Sequence, residues 1–248
     1  MKRRVDELLG YENLKIIQTD ECFSFSLDSM LLADFITVKG KERNIIELGC
    51  GNAPILLYLT LKTSSKLIGV EIQNEVAQLA LDSVKINNLE HQIEIINADF
   101  RNIHKKYLIN SFDVVYINPP FFEYHESSNI NKTINKSIAR HEIMMKLEDV
   151  FIESSKLLKV GGYLYMIHRV DRLDQIISFA NKYKFGLLNM KFVYSKTSDE
   201  KALSFLVQMR YNKMSNVKVL RHIDVYDANS YTSQLLKIFK FKEGKNVT

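Results

Sequence analysis

The sequence predicts an α/β fold, a doubly wound, mostly parallel sheet that ends in an antiparallel C-terminal hairpin. Three observations carry that expectation. Short apolar runs alternate with stretches of helical period between residues 44 and 183. A glycine-bearing turn, "ELGCGNAP" (47–54), follows the first of these runs. The last two apolar runs, 186–195 and 202–211, succeed one another with only a short polar loop between them. Strand–helix alternation builds parallel sheets, and two strands in direct succession build a hairpin, here expected at the sheet edge.

The elements follow in order. "NIIELGCG" (44–51) reads as a strand entering a glycine turn and "APILLYLTLKT" (53–63) as a helix. "KLIGVEI" (66–72) is the next strand. In "NEVAQLALDSVKINN" (74–88), Val76, Leu79, Ala80, Val84 and Ile86 recur near helical period. "QIEIINAD" (92–99) and "FDVVYINPP" (112–120) are strands, and "LEDVFIESSKLLKVGG" (147–162) is expected to be a helix stopped by its two glycines. "GYLYMIHR" (162–169) and "RLDQIISFANKY" (172–183) complete the alternation as strand and helix. Near the start, "FSFSLDSMLLADF" (23–35) carries Leu31, Leu32 and Phe35 on an apolar helix.

The bulk properties narrow the class. A chain of 248 residues with 46% hydrophobic residues can bury a sizeable core in one domain. No apolar run approaches the roughly 20 residues of a membrane span, and the basic start "MKRRVDELLGYEN" lacks an apolar core of a secretion signal. The two cysteines, Cys22 and Cys50, make no disulfide framework, so a reducing cytoplasm is expected. The net charge of +5 favours a polyanionic partner. His125 and His141 have no acidic or cysteine partner at ligand spacing, so no metal is expected.

The chemistry gathers at successive strand ends, where ligands of open α/β sheets bind. Gly49 and Gly51 let a ligand approach the backbone of the first turn, while Pro54 stands where a G-x-G-x-x-G phosphate cradle needs its third glycine. A ligand without phosphate is therefore the better match. Glu71 ends the second strand, 20 residues after Gly51, where a carboxylate can accept from both hydroxyls of a ribose. Asp99 ends the third strand; there it either accepts from an adenine amine or caps the following segment. Asn118, Pro119, Pro120 and Phe121 end the fourth. This chain has only three prolines, and two stand here. They stiffen the loop and leave carbonyls free to accept. An exocyclic amine can donate one hydrogen to the Asn118 side-chain oxygen and one to the Pro119 carbonyl, with Phe121 stacked on the flat base.

"NPPF" behind such a glycine turn resembles the S-adenosylmethionine-dependent amino-group methyltransferases of the class I, Rossmann-like fold. The likeness narrows with "NLKIIQ" (13–18), "FSFSLDSMLLADF" (23–35), "GVEIQ" (69–73), "NPPFF" (118–122), "IARHE" (138–142), "SSKLLKVGG" (154–162), "HR" (168–169) and "VYDANSYTSQLLKIF" (225–239). In that order, and over nearly the whole chain, they are similar to bacterial tRNA (adenine-N6)-methyltransferases that act on adenosine 37 of a valine tRNA. The resemblance implies Asn118, Pro119, Pro120 and Phe121 as catalytic residues, and Asp28, Glu47, Gly49, Gly51, Asn52, Glu71, Ile72, Asp99, Phe100 and Asn118 around S-adenosyl-L-methionine. By the same resemblance residues 1–40 cover the cofactor; Asp28 reaches its amino group there, or caps the helix it precedes, or both. Residues 123–142 read as a substrate loop; Lys132, Lys136, Arg140 and His141 in it, and Phe122 just before it, meet tRNA, with a C-terminal extension over 213–248. A monomer or weak homodimer suffices for this chemistry. Two alternatives stay open: methylation of another exocyclic amine (guanine N2 of rRNA or a DNA adenine), and an RNA-binding protein that keeps the fold without catalysis. A protein glutamine target is disfavoured because an N-terminal recognition domain is not seen, and DNA because no separate base-reading domain is visible in 248 residues.

Overall fold

The computed structural model describes residues 3–19, 26–38, 44–119 and 146–240. Two strands, β1 (Arg3–Leu8) and β2 (Tyr11–Thr19), form a separate antiparallel hairpin. Helix α1 (Leu27–Phe35) follows, then β3 (Ile45–Leu48), α2 (Pro54–Thr60), β4 (Leu67–Glu71), α3 (Asn74–Ile86) and β5 (Ile93–Asn97). A 3-10 turn (Phe100–Lys105) leads to β6 (Phe112–Ile117). Beyond lie α4 (Leu147–Leu157), β7 (Leu158–Arg169), α5 (Leu173–Lys182), β8 (Phe185–Lys196) and β9 (Ser204–Tyr211). The described chain closes with β10 (Lys218–Val219), β11 (Ile223–Asp227), β12 (Ser230–Tyr231) and α6 (Ser233–Phe239).

The main sheet runs β12-β11-β8-β9-β7-β6-β3-β4-β5, with β10 also on β8. Its strands β5, β4, β3, β6 and β7 are mutually parallel, and β9 is antiparallel to both β7 and β8. Because the connections leave β3 toward β4 on one side and reach β6 on the other, the switch point lies between β3 and β6. Ligands of such sheets bind at that point, beyond the carboxyl ends of the strands.

The apolar runs of the strands do not alternate, and the core explains why. Ile45, Val114, Tyr116, Tyr165, Ile167 and Leu206 join a cluster with α1, α2 and α6 on one face. Their chain neighbours Ile46, Val115, Ile117, Leu164, Met166, Phe205 and Val207 join a second cluster with α4 and α5 on the other. Both faces are covered, so both parities must be apolar.

Two expectations change. The helix expected over 147–162 stops at Leu157; Leu158 is already extended (φ −76°, ψ 136°) and pairs with Phe112. The two glycines therefore sit inside β7, where the register jumps between Phe112 and Val114 and Gly161 takes φ +82°. They permit an irregular strand instead of stopping a helix. The β8–β9 hairpin exists, but it is not the edge: β10 and β11 pair in parallel with β8, and β12 pairs with β11. These outer strands are two to five residues long, too short to stand out by period.

The N-terminal hairpin, which carried no strand signal, is fastened to the domain by polar contacts. Ile17 N donates to Ser83 Oγ at 2.9 Å, Lys15 N donates to Asn87 Oδ1 at 2.9 Å, and the Tyr58 hydroxyl donates to Leu9 O at 3.0 Å. Helix α1 ends against Lys62, whose ammonium donates to the carbonyls of Ala33, Asp34 and Ile36 at 2.6–2.7 Å. Those carbonyls have no partner inside the helix, and a cation there also suits the helix dipole. The anchored α1 brings its first turn to the sheet rim.

Candidate active site

The first glycine turn is built on left-handed backbone. Gly49 and Gly51 have φ +70° and +55°, and their turn is held by Gly49 N and Cys50 N donating to Val70 O at 2.8 and 2.9 Å. Ala53, in the left-handed region at φ 72°, ψ 31°, precedes α2, and Pro54 occupies its first turn as expected. A Cβ placed on Gly49 or Gly51 would meet no atom within 4 Å. The two glycines thus face open space at the switch point, which is room for a ligand against bare backbone.

Glu71, 5% exposed, braces this turn. Its Oε2 accepts from Gly51 N at 3.1 Å, and its Oε1 accepts from Gln73 N at 2.9 Å and Gln73 Nε2 at 3.3 Å. One carboxylate therefore fixes the ends of β3 and β4 relative to each other. Asn97 ties the next rim position: its Nδ2 donates to Glu71 O and Ile72 O at 2.8 and 3.1 Å. Ile72 is half-buried there, and Phe100 packs into the core facing α4 and α5. Of the two readings of Asp99, the cap is realised. Asp99 precedes the 3-10 turn, accepts from Arg101 N at 3.0 Å, and is paired with the Arg101 guanidinium, which holds its carboxyl below the usual range.

Glu47 lies beneath the turn, 1% exposed, with Tyr116 beside it in register on β6. Burial pushes its carboxyl well above the usual range, and the charge of Glu71 adds to that rise. Its Oε2 meets no hydrogen-bond partner among the described residues. Asn52, 6% exposed, donates from Nδ2 to Ile17 O at 3.0 Å, so its amide nitrogen links the N-terminal hairpin to the turn.

Asn118 and Pro119 leave the carboxyl end of β6 beside this turn. The Asn118 Nδ2 donates to Ser29 Oγ at 3.3 Å, which leaves its Oδ1 to accept. Ser29 sits in the first turn of α1, 4% exposed, next to Asp28. The capping reading of Asp28 does not hold: Ser26 is the residue before the helix, and Asp28 is one turn-position inside it without a capping bond. Burial raises the Asp28 carboxyl, and the charge of Arg169 at the end of β7 opposes that rise. Pro120, Phe121, Phe122, Lys132, Lys136, Arg140 and His141 lie outside the described residues.

The rim thus brings together Gly49, Gly51, Glu71, Asp99 and Asn118 from four strand ends, with Glu47 and Asn52 just below and Asp28 above. Sequence reasoning missed Ser29, Asn97 and Gln73, which hold the others in place; a serine in a helix turn and an asparagine at a strand end carry no signal of their own. Among the described residues no group of three or more His, Cys, Asp or Glu is placed to hold a metal ion, and no helix is long and apolar enough to cross a membrane.

Sheet order, switch point and glycine turn together define a Rossmann-like class I methyltransferase fold. The chain belongs to the methyltransferase-domain family, whose model matches residues 39–240, and it is a methyltransferase. A Bacteroides fragilis tRNA1(Val) (adenine(37)-N6)-methyltransferase is 24% identical over 212 residues, covering 78% of this chain and 88% of that protein. A Methanocaldococcus jannaschii protein, provisionally named for protein N5-glutamine methylation, is 28% identical over 163 residues, covering 64% of this chain and 78% of that one. Among solved structures, a predicted O-methyltransferase from Agrobacterium tumefaciens superposes with a TM-score of 0.66 at 17% identity, over 86% of this chain and 96% of that one. Geranyl diphosphate C-methyltransferase from Streptomyces coelicolor, solved with S-adenosyl-L-homocysteine, has a TM-score of 0.54 at 12% identity, over 74% and 78%.

Proposed function

We propose that this enzyme methylates the exocyclic N6 amine of an adenosine in tRNA, at position 37 of a valine tRNA, with S-adenosyl-L-methionine as donor. The observation that carries the reading is Asn118: at the switch point, beside open glycine backbone, its amide nitrogen is engaged by Ser29 and its oxygen is left to accept. The donor fits the residues present. It lacks phosphate and carries hydroxyl and ammonium donors, and the site offers Glu71, the unpartnered Glu47 Oε2 and the space before Gly49 and Gly51.

When bound, the cofactor supplies a methyl group on a sulfonium. Glu71 retains acceptor capacity for ribose hydroxyls beyond its bonds to Gly51 and Gln73, and the glycines admit the ligand to the turn. Asn118 Oδ1 takes one amine hydrogen and the Pro119 carbonyl the other, which turns the nitrogen lone pair toward the methyl. This is positioning, with acceptors aimed at a nitrogen that gains positive charge and then loses a proton to water. Phe121, two residues after Pro119 in the sequence, supplies a stacking face for the base. The base must leave its stack, at little cost in an anticodon loop.

A second reading has support in the M. jannaschii relative: the same two acceptors serve a glutamine amide. Purified enzyme, methyl-labelled cofactor and transcribed tRNA decide between them. Nucleoside mass spectrometry should find N6-methyladenosine in the valine transcript, lost when its adenosine 37 is replaced by guanosine. Label in protein, or in another nucleoside, would overturn the assignment.

A further inference from the structure

The rim holds a cation, Arg169, whose guanidinium has no bonded partner among the described residues. Arg169 ends β7, and β7 is the parallel neighbour of β6. Ile117 pairs with Met166, so Asn118 lies one residue beyond that pair on β6 and Arg169 three beyond it on β7. Strand alternation gives the side. Tyr165 and Ile167 belong to the core cluster that includes α1, whereas Leu164 and Met166 belong to the opposite one. Arg169 shares the parity of Tyr165 and Ile167 and so projects on the α1 face. By the same count Asn118 shares the parity of Tyr116, and its bond to Ser29 agrees. Arg169, Asn118, Ser29 and Asp28 therefore lie on one face, between the end of the sheet and the start of α1.

Arg169 is half-buried, yet its guanidinium makes no hydrogen bond and no ion pair among the described residues; only its backbone N–H is engaged, donating to His168 Nδ1 at 2.9 Å. Asp28 senses its charge but forms no ion pair with it. The contrast with other cations at the rim is plain: Arg101 is paired with Asp99, and Arg172 donates to Gln175. A guanidinium has five donors in a fixed fork that matches a phosphate, and a half-buried one left open at the rim can present that fork to a ligand.

We propose that Arg169 is the phosphate anchor of the substrate pocket: its guanidinium takes a phosphodiester oxygen pair of the target nucleotide or its neighbour, while Asn118 holds the exocyclic amine. The substrate class that satisfies both ends is a nucleic acid strand, not an amide on a protein. The inference rests on the RNA reading above and deepens it. Arg169 does not touch the reacting atoms; it is a positioning residue, distinct from the cofactor acceptors on β3 and β4.

The test compares wild type with Arg169→Gln and Arg169→Lys, using valine tRNA transcript, by fluorescence anisotropy over a salt series and by steady-state methyl transfer. Arg169→Gln should raise the KM for tRNA roughly tenfold with kcat within about threefold. The slope of log affinity against log salt should flatten by roughly 0.7, the value for one lost contact to a single strand. Arg169→Lys keeps the charge but not the fork, so its slope should stay near wild type while KM rises by an intermediate amount. Cofactor affinity and melting temperature should not move. An unchanged slope and KM in Arg169→Gln, with wild type active on tRNA, would overturn the anchor and leave the RNA reading standing. Wild type that neither binds nor methylates tRNA would overturn both. Should Arg169→Gln fail to fold, Arg169→Lys decides alone: a KM equal to wild type refutes the proposal.

Discussion

Removing the Glu71 carboxylate should damage the fold before it damages binding. Its two oxygens accept from the backbone N–H groups of Gly51 and Gln73, and Glu71 is 5% exposed. In Glu71→Ala both donors lose their partner. A part-buried donor left unsatisfied costs on the order of 1–2 kcal/mol, so the pair amounts to about 2–4 kcal/mol. For a domain of this size each kcal/mol moves the melting temperature by roughly 2–4 °C. The cofactor-free protein should therefore melt about 5–15 °C lower. Glu71→Gln keeps one acceptor oxygen and should lose about half as much. The assay is thermal unfolding without ligand, followed by calorimetric titration of S-adenosylmethionine at a temperature where each variant is folded. Affinity should fall in both variants, because the ribose acceptor and the turn geometry go together. A melting temperature within about 2 °C of wild type in Glu71→Ala would refute the bracing role and leave only ligand contact.

The remaining expectations are simpler. Asn118→Ala should lower turnover on the order of 10²-fold or more while cofactor affinity, read by calorimetry, stays put. Gly69→Ala would set a Cβ 2.5 Å from Leu56 Cδ1 and 2.8 Å from Cys50 Sγ; overpacking of this kind costs about 1–3 kcal/mol in urea unfolding, and Leu56→Ala in the same chain should return part of it. His168 gives a pH signature. Burial, with the charges of Arg172 and Arg169, lowers it from 6.5 to about 4, so the folded protein holds it neutral. Its contribution is complete above pH 6.5 and is lost as pH falls toward 4. Between pH 8 and pH 5 that loss should be about 2 kcal/mol, and His168→Gln should flatten the stability profile by that amount.

Much of this fold was legible because its strands are buried on both faces. Runs such as "VVYI" need no alternation, and strand–helix succession sets the parallel sheet. The glycine turn, Glu71 and Asn118 could be found because each falls where an apolar run stops. What stayed hidden works by contact between distant segments. The β1–β2 hairpin has mixed polar faces and leans on Ser83 and Asn87 through backbone bonds, which no local pattern announces. Asp99 was readable two ways because Arg101, two residues on, decides the matter. Ser29 became visible only when α1 brought it to Asn118. The glycines of "KVGG" were misread because a helix stop and a strand irregularity share the same residue. Arg169 could be placed at a strand end, but its lack of a bonded partner among the described residues is a property of the folded rim.

The turn between β1 and β2 has one more consequence. Gly10 sits so close to α6 that an added Cβ would stand 2.3 Å from the Phe239 carbonyl oxygen. The turn at residue 10 is therefore completed by a residue synthesised 229 positions later. Until that helix leaves the ribosome, Leu8 and Ile16, 1% and 0% exposed in the finished protein, wait for part of their cover. Vectorial folding from the N-terminus, the usual course for growing chains, cannot by itself complete this contact. The hairpin gains its full cover only once residue 239 is in place, and the bond from Asn52 to Ile17 links the glycine turn to that same hairpin.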